Sequence, residues 1–106
     1  MREAVLSDRL VRVIEQAEPG KDVNEKVQQL LERDLIRRLN RYQMVDRLLQ
    51  KKYGMTFDEF RKQGVVAQRG YSFEVESDYW DWEMALDGIA TVRNLLNELQ
   101  GRQNGD

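Results

Sequence analysis

The side chains of this protein that could do chemistry are carboxylates, which are densest in residues 71–88, YSFEVESDYWDWEMALDG. Glu74 with Glu76, or Asp78 with Asp81, offers the oxygen ligands that Mg²⁺ prefers. Such pairs also arise by chance in acidic segments, and no phosphate-binding loop or nucleophile elbow accompanies them. The absence of histidine and cysteine removes the usual zinc ligands, the thiolate nucleophile and the commonest general base. We therefore predict that the protein is not an enzyme and binds neither a metal nor a cofactor.

The same segment is rich in aromatic residues. It holds both tryptophans, two of the four tyrosines and one of the three phenylalanines. Aromatic rings bury large areas at interfaces, and an acidic rim complements a basic partner. The alternative is that these rings pack against a helix of the same subunit. The residues that we predict to contact a partner are Phe73, Glu74, Glu76, Asp78, Tyr79, Trp80, Asp81 and Glu83.

Helical geometry divides these aromatic residues between two roles. Phe73 and Val75 alternate with glutamates, which predicts an extended segment before a helix that Ser77 or Asp78 caps. Successive helical residues point about 100° apart, so neighbouring aromatic residues cannot all face one core. Trp82 begins an apolar stripe and is predicted to be structural, whereas Tyr79 and Trp80 are predicted to point elsewhere. The stripe continues through Leu86, Ile89, Val92, Leu96 and Leu99.

A long amphipathic helix has to position these residues. Its apolar side chains recur at helical spacing, and Asp22 or Asn24 can cap its first turn. Gly54 is the predicted residue after its end, so the helix is about 30 residues long. One small chain cannot cover such a stripe, and we therefore predict a dimer. The stripe comprises Val23, Val27, Leu30, Leu31, Leu35, Leu39, Tyr42, Val45, Leu48, Leu49 and Tyr53.

Shorter elements flank the long helix. Ser7 is a good N-cap for a first helix whose apolar stripe is Leu10, Val13, Ile14 and Ala17. Thr56 and Glu59 have the spacing of a capping box, which predicts a short helix with two phenylalanines on one side. Residues 64–70, GVVAQRG, predict a linker or a short strand.

Charge is divided along the chain. Residues 1–70 contain 15 basic and 11 acidic residues, whereas residues 71–106 contain 2 and 8. We predict a dimerisation region at 1–54, a short helix and linker at 55–70, and an acidic aromatic partner-binding segment with the C-terminal helix at 71–106. A solvated acidic face would produce the same division of charge.

The segments SDRLVRVIEQA and GKDVNEKVQQLLERDL resemble the two helices of ribbon-helix-helix (Arc/MetJ, CopG-like) proteins, over residues 1–39. The resemblance implies a short N-terminal strand, in which Ala4 and Leu6 face the dimer core and Met1, Glu3 and Val5 face outward. A frayed terminus that continues into a helix would fit the first six residues as well. The predicted dimer core comprises Leu6, Leu10, Ile14, Val23, Val27, Leu30 and Leu31.

DNA is a possible partner that we expect to bind only weakly. Reading the major groove requires hydrogen-bond donors, and Glu3 would bring negative charge towards the phosphates. The long helix has basic residues that could follow a phosphate backbone or simply solvate its outer face. They are Arg33, Arg37, Arg38, Arg41, Arg47, Lys51 and Lys52.

A second likeness concerns KKYGMTFDEF and SFEVESDYWDWE, which are similar to the C-terminal part of small prokaryotic proteins thought to be antitoxins. The two likenesses imply a mainly α-helical, dimeric antitoxin that occludes the surface of a basic, RNA-directed toxin. A DNA-binding repressor and a purely structural helical dimer are the alternatives. With no signal-peptide pattern and no apolar run near 18 residues, we expect a cytoplasmic protein without a membrane role.

Overall fold

A computed structural model of the chain describes residues 6–17 and 22–101, and every regular element in these two ranges is a helix. The mainly α-helical prediction is therefore confirmed. The elements are α1 (Asp8–Ala17), α2 (Val23–Tyr53), α3 (Phe57–Lys62), α4 (Val65–Gln68) and α5 (Phe73–Leu99). The strand predicted at the N-terminus lies, apart from Leu6, outside the described residues. None of the described helices is long and apolar enough to cross a membrane.

The chain forms two compact units, Met1–Asp34 and Leu35–Asp106, and their boundary falls inside α2. In the first unit, the Ser7 hydroxyl accepts a hydrogen bond from the Leu10 N–H at 3.1 Å. The Asp22 carboxylate accepts one from the Glu25 N–H at 2.8 Å, so Asp22 caps α2. Both caps agree with the sequence, because a cap needs only a short side chain with an oxygen at the right position.

The predicted dimer core is only partly covered within one chain. Ile14 is buried, but Leu10, Leu30 and Leu31 keep between 41% and 47% of their surface exposed. Lys26 is also buried, although a lysine would be expected at the surface. The dimer itself stays a prediction.

The second unit is built around one aromatic core. Buried residues from α2, α3, α4 and α5 meet there, and Trp82 and Phe60 are the most completely buried of them. The α2 helix ends as predicted, with Gly54 at φ 67°, a conformation that a side chain would disfavour. The core cluster comprises Leu49, Tyr53, Phe60, Val65, Val75 and Trp82.

The short α3 helix begins at the predicted capping box. The Thr56 hydroxyl accepts a hydrogen bond from the Glu59 N–H at 3.2 Å, and the Glu59 carboxylate accepts one from the Thr56 N–H at 3.4 Å. The rings of Phe57 and Phe60 stack 6.4 Å apart, which confirms that they share one side of the helix.

Two local predictions between α3 and α5 are wrong. Residues 65–68 form the helical turn α4 rather than a linker or strand, and Val65 is buried in the core. The α5 helix begins at Phe73 and is capped by Ser72, whose hydroxyl accepts a hydrogen bond from the Val75 N–H at 3.4 Å. Ser77 and Asp78 therefore lie inside the helix. In a helix, residues two apart point about 200° apart, so Val75 enters the core while Phe73 faces outward.

Candidate protein-docking site on the last helix

The α5 helix has apolar side chains on two opposite sides. One side lies in the core, and its buried residues include Val75, Trp82 and Ile89. The other side carries Phe73, Trp80 and Met84, which are 86%, 61% and 68% exposed. These three residues are spaced by seven and then four positions, which places them along one line of the helix. We call the line Phe73–Trp80–Met84 the outer face of α5.

Trp82 fixes the orientation of α5. Its indole Nε1–H donates a 2.8 Å hydrogen bond to the Asp46 carboxylate on α2. Its ring stacks on Tyr53 with centroids 6.1 Å apart, and it meets Phe60 at 5.3 Å. Because Trp80 and Trp82 are two positions apart, anchoring one in the core turns the other to solvent. The predicted structural role of Trp82 and the predicted outward direction of Trp80 are both confirmed.

Tyr79 differs from its prediction, because it packs partly on the core. It is half-buried and lies 5.5 Å from the Phe57 ring and 6.3 Å from the Phe60 ring, measured between centroids. Its ring also meets Trp80 edge-on at 5.4 Å. Tyr79 therefore supports the Trp80 side chain from the core side, and the indole of Trp80 stands at the surface.

Asp78 and Glu74 already have partners within the chain. The Asp78 carboxylate accepts hydrogen bonds from the Tyr53 hydroxyl at 2.5 Å and from Lys52 Nζ at 2.6 Å. Glu74 accepts a hydrogen bond from the same Lys52 ammonium at 2.7 Å. These contacts tie the start of α5 to the end of α2. Asp78 is thus turned towards α2, whereas the sequence predicts it among the partner contacts.

The cluster around Asp78 shifts two proton affinities. Burial, together with the hydrogen bond to Asp78, raises the pKa of Tyr53 to about 12. Hydrogen bonds from Lys52 to Asp78 and Glu74 raise the pKa of the Lys52 ammonium well above its usual value. Both shifts keep the donors protonated, which is the state in which they bind Asp78.

The carboxylates beside the outer face are Glu76, Asp81 and Asp87, and all three are exposed, whereas Glu83 is half-buried. They form an acidic rim around Trp80 and Met84. Of the predicted partner contacts, the structure therefore brings Phe73, Glu76, Trp80 and Asp81 to the outer side of α5. Asp78 and Tyr79 lie largely against the rest of the unit.

A hollow of about 430 Å³ adjoins Trp80, and its walls are Val66, Tyr71, Glu76, Tyr79 and Trp80. Tyr71 is 65% exposed and has a left-handed backbone with φ 54°, which is uncommon for a residue with a side chain. Its N–H donates to the Val66 carbonyl at 2.9 Å, which holds this turn against α4. Tyr71 is not among the predicted partner contacts, because the turn that brings it to Trp80 follows α4, a helix that the sequence does not predict.

Across the described ranges, no group of three or more acidic, histidine or cysteine side chains is placed to hold a metal ion. Comparison with known proteins found no matching family model, no matching curated protein and no matching solved structure.

Proposed function

We propose that the protein is a binding module that docks a basic partner protein on the outer face of α5, and that it acts as an antitoxin. The observation that carries this proposal is the double-sided apolar character of α5. One side completes the core around Trp82. The other side exposes Trp80 and Phe73 to solvent, where the core does not require them.

Exposed aromatic residues of this kind are typical of binding hot spots. Tryptophan contributes heavily to interfaces because its large ring loses contact with water while its N–H can still donate a hydrogen bond. Trp80 is also held in place by the edge-on contact with Tyr79. A side chain that is positioned before binding loses less conformational freedom when the partner arrives.

The charges around the outer face define the partner. Glu76, Asp81 and Asp87 rim the apolar line, and α5 contains only one basic residue, Arg93. An acidic partner would meet like charges, which cost several kcal/mol across an interface. A basic surface would be attracted, and the encounter would be accelerated at low salt.

The antitoxin role combines this proposed recognition of a basic partner with the family resemblance of the sequence. A toxin that acts on RNA needs a basic surface to hold the phosphates. An acidic aromatic face that covers such a surface blocks access by the RNA without needing chemistry of its own. The proposed mechanism is therefore occlusion, and the N-terminal helices supply the proposed dimer.

The proposal predicts that a basic protein is encoded beside this gene, and the test uses that protein as the probe. Trp80→Ala is expected to weaken binding by roughly thirtyfold or more in isothermal titration calorimetry, since truncation of a central aromatic commonly costs at least about 2 kcal/mol. Leu95→Ala is the matched control, because Leu95 is 43% exposed on the same helix but lies beyond the acidic rim. Wild-type affinity in the Trp80→Ala variant, or failure of the neighbouring protein to bind at all, would contradict the proposal.

A DNA-binding repressor is the second candidate, and the basic outer side of α2 favours it. Between residues 35 and 53 the chain has six basic residues and a single acidic one, Asp46. We expect specific binding of the isolated protein to its own promoter to be weak or absent. Nanomolar, steeply salt-dependent binding at physiological salt, lost on Val5→Asp, would instead favour the repressor.

A further inference from the structure

A row of exposed residues runs along the outer side of α2 within the second unit. The row is spaced alternately by four and three residues, which is the spacing of a coiled-coil seam. Met44 and Leu48 stand in its middle and are 55% and 60% exposed. We call it the basic row, and it comprises Arg37, Arg41, Met44, Leu48 and Lys51, all exposed.

The outer face of α5 belongs to a row with the same alternating spacing. Its apolar members are Phe73, Trp80 and Met84, and its last member is an exposed carboxylate. The carboxylates of Glu76 and Asp81 flank it. We call it the acidic row, and it comprises Phe73, Ser77, Trp80, Met84 and Asp87.

The two rows border one open groove of about 310 Å³ between α2 and α5. Leu48 of the basic row and Met84 of the acidic row both line it, with Val45 and Asp81 beside them. The rows therefore face a common side of the unit. A molecule that binds over the groove would contact positive charge along one edge, negative charge along the other, and apolar side chains between them.

The chain directions of α2 and α5 make this surface complementary to itself. Tyr53 is bonded to Asp78 and Asp46 to Trp82, so residue numbers rise along α2 as they fall along α5 and the helices are antiparallel. A two-fold rotation about an axis that runs above the groove and parallel to both helices therefore places the α2 of one copy over the α5 of another, antiparallel to it. The same rotation makes the reverse contact equivalent.

Such an axis also sets the register, because it leaves every residue at its own level along the helices. Asp46 and Trp82 share one level and their numbers add up to 128, so residues of the two copies whose numbers add up to 128 come side by side. Apolar residues then meet apolar residues and a cation meets a carboxylate. The pairs are Met44 with Met84, Leu48 with Trp80, and Arg41 with Asp87.

We propose that a second copy of this chain docks across the groove, with the basic row of each copy on the acidic row of the other. Met44 and Leu48 distinguish this occupant from a nucleic acid, because apolar side chains at the centre of the row give nothing to a phosphate backbone. The contact covers Trp80. If the proposed function holds, self-association and partner binding therefore compete for the same face.

The test is a reciprocal charge reversal in the full chain. Arg41→Glu/Lys51→Glu makes both rows acidic, and Glu76→Lys/Asp87→Lys makes both rows basic. We expect each variant alone to lose one association step, because like charges then face each other. Sedimentation velocity should give an association constant at least roughly tenfold lower than that of the wild type. An equimolar mixture is expected to recover that step, since both contacts are then complementary. Recovery also shows that both variants are folded.

Matched controls reverse equal numbers of exposed charges outside the two rows, in Arg61→Glu/Lys62→Glu and Asp58→Lys/Glu15→Lys. These variants should associate like the wild type. Wild-type association of the row variants, no recovery in their mixture, or the same loss in the controls would overturn the proposal. No partner protein is present, so the result is independent of whether the α5 face also binds a toxin.

Discussion

At the scale of single residues, the two tryptophans have contrasting surroundings although they are only two positions apart. Trp82 is fully buried, bonded to Asp46 and packed among aromatic rings, whereas Trp80 is 61% exposed. Deleting the first removes core contacts and leaves a cavity. Deleting the second removes surface area that only a partner would cover.

We predict that the two alanine variants differ in stability. Trp82→Ala should lower the free energy of unfolding by about 3–5 kcal/mol, the usual cost of removing a buried large aromatic side chain. Trp80→Ala should leave the melting temperature nearly unchanged. Thermal unfolding followed by circular dichroism measures both. Unfolding caused by Trp80→Ala would place Trp80 in a core and move the docking site elsewhere.

The raised pKa of Tyr53 predicts a loss of stability in alkali. The phenol has a pKa of about 12 in the folded chain and an ordinary value of 10.0 when unfolded. Its contribution is therefore complete below pH 10 and disappears as the pH rises towards 12. The shift corresponds to roughly 2–3 kcal/mol. The Lys52 pKa is raised too, so its loss has the same sign.

Urea unfolding at pH 8 and pH 11 tests this expectation, with Tyr53→Phe as the comparison. The variant lacks the phenol and should lose less stability between the two pH values than the wild type does. Absorbance of tyrosinate should also show a late titration step that the variant lacks. Equal alkaline losses in both proteins would show that the ionisation of Tyr53 does not contribute to the loss of stability.

At the scale of elements, α2 and α5 are in close contact where Gly88 faces Tyr42. A Cβ atom at Gly88 would lie 2.5 Å from Tyr42 Cε2, well inside contact distance. Alanine normally stabilises a helix interior relative to glycine by about 1 kcal/mol. Here the Tyr42 ring would have to move, so the clash with the added methyl group opposes the higher helix propensity of alanine.

We predict that Gly88→Ala destabilises the protein by about 1–3 kcal/mol, as overpacking does. In a Tyr42→Ala background the same change should become stabilising, because the obstructing ring is gone and the helical preference remains. A double-mutant cycle from urea unfolding gives the coupling between the two positions. Identical effects of Gly88→Ala in both backgrounds would mean that the two helices do not meet at this point.

At the scale of the whole molecule, the exposed leucines of the first unit bear on assembly. Leu30 and Leu31 are 41% and 47% exposed in a single chain, although they belong to the predicted dimer core. Their burial in a second copy would remove this apolar surface from water. This predicted dimer core belongs to the first unit, whereas the groove between α2 and α5 belongs to the second.

We predict that the protein is at least a dimer at micromolar concentration and that Leu30→Asp removes one association step. A buried unpaired charge costs at least several kcal/mol, which a small interface cannot offset. Light scattering gives the mass, and Leu95→Asp is the control, since Leu95 has similar exposure on α5. A monomer mass for the wild type across the micromolar range would contradict the prediction.

The features of this fold that can be read from the sequence are those that depend on neighbours within one or two helical turns. Ser7, Asp22 and the Thr56/Glu59 box cap their helices as predicted, and α2 ends at Gly54. A cap is a bond between residues about three apart, so its spacing can be read directly. The inward direction of Trp82 also followed, because its stripe persists along most of α5.

The remaining features, the α4 turn and the surroundings of the α5 side chains, follow from tertiary contacts. These contacts join residues that are far apart in sequence. The short α4 turn is helical because Val65 enters the core. A segment of four residues is too short to show a helical periodicity in the sequence. Asp78 and Glu74 differ from the other carboxylates of α5 because Lys52, more than twenty residues earlier, lies beside them. Likewise, the α5 stripe that faces solvent became visible only when α2, α3 and α4 had covered the other side of the helix.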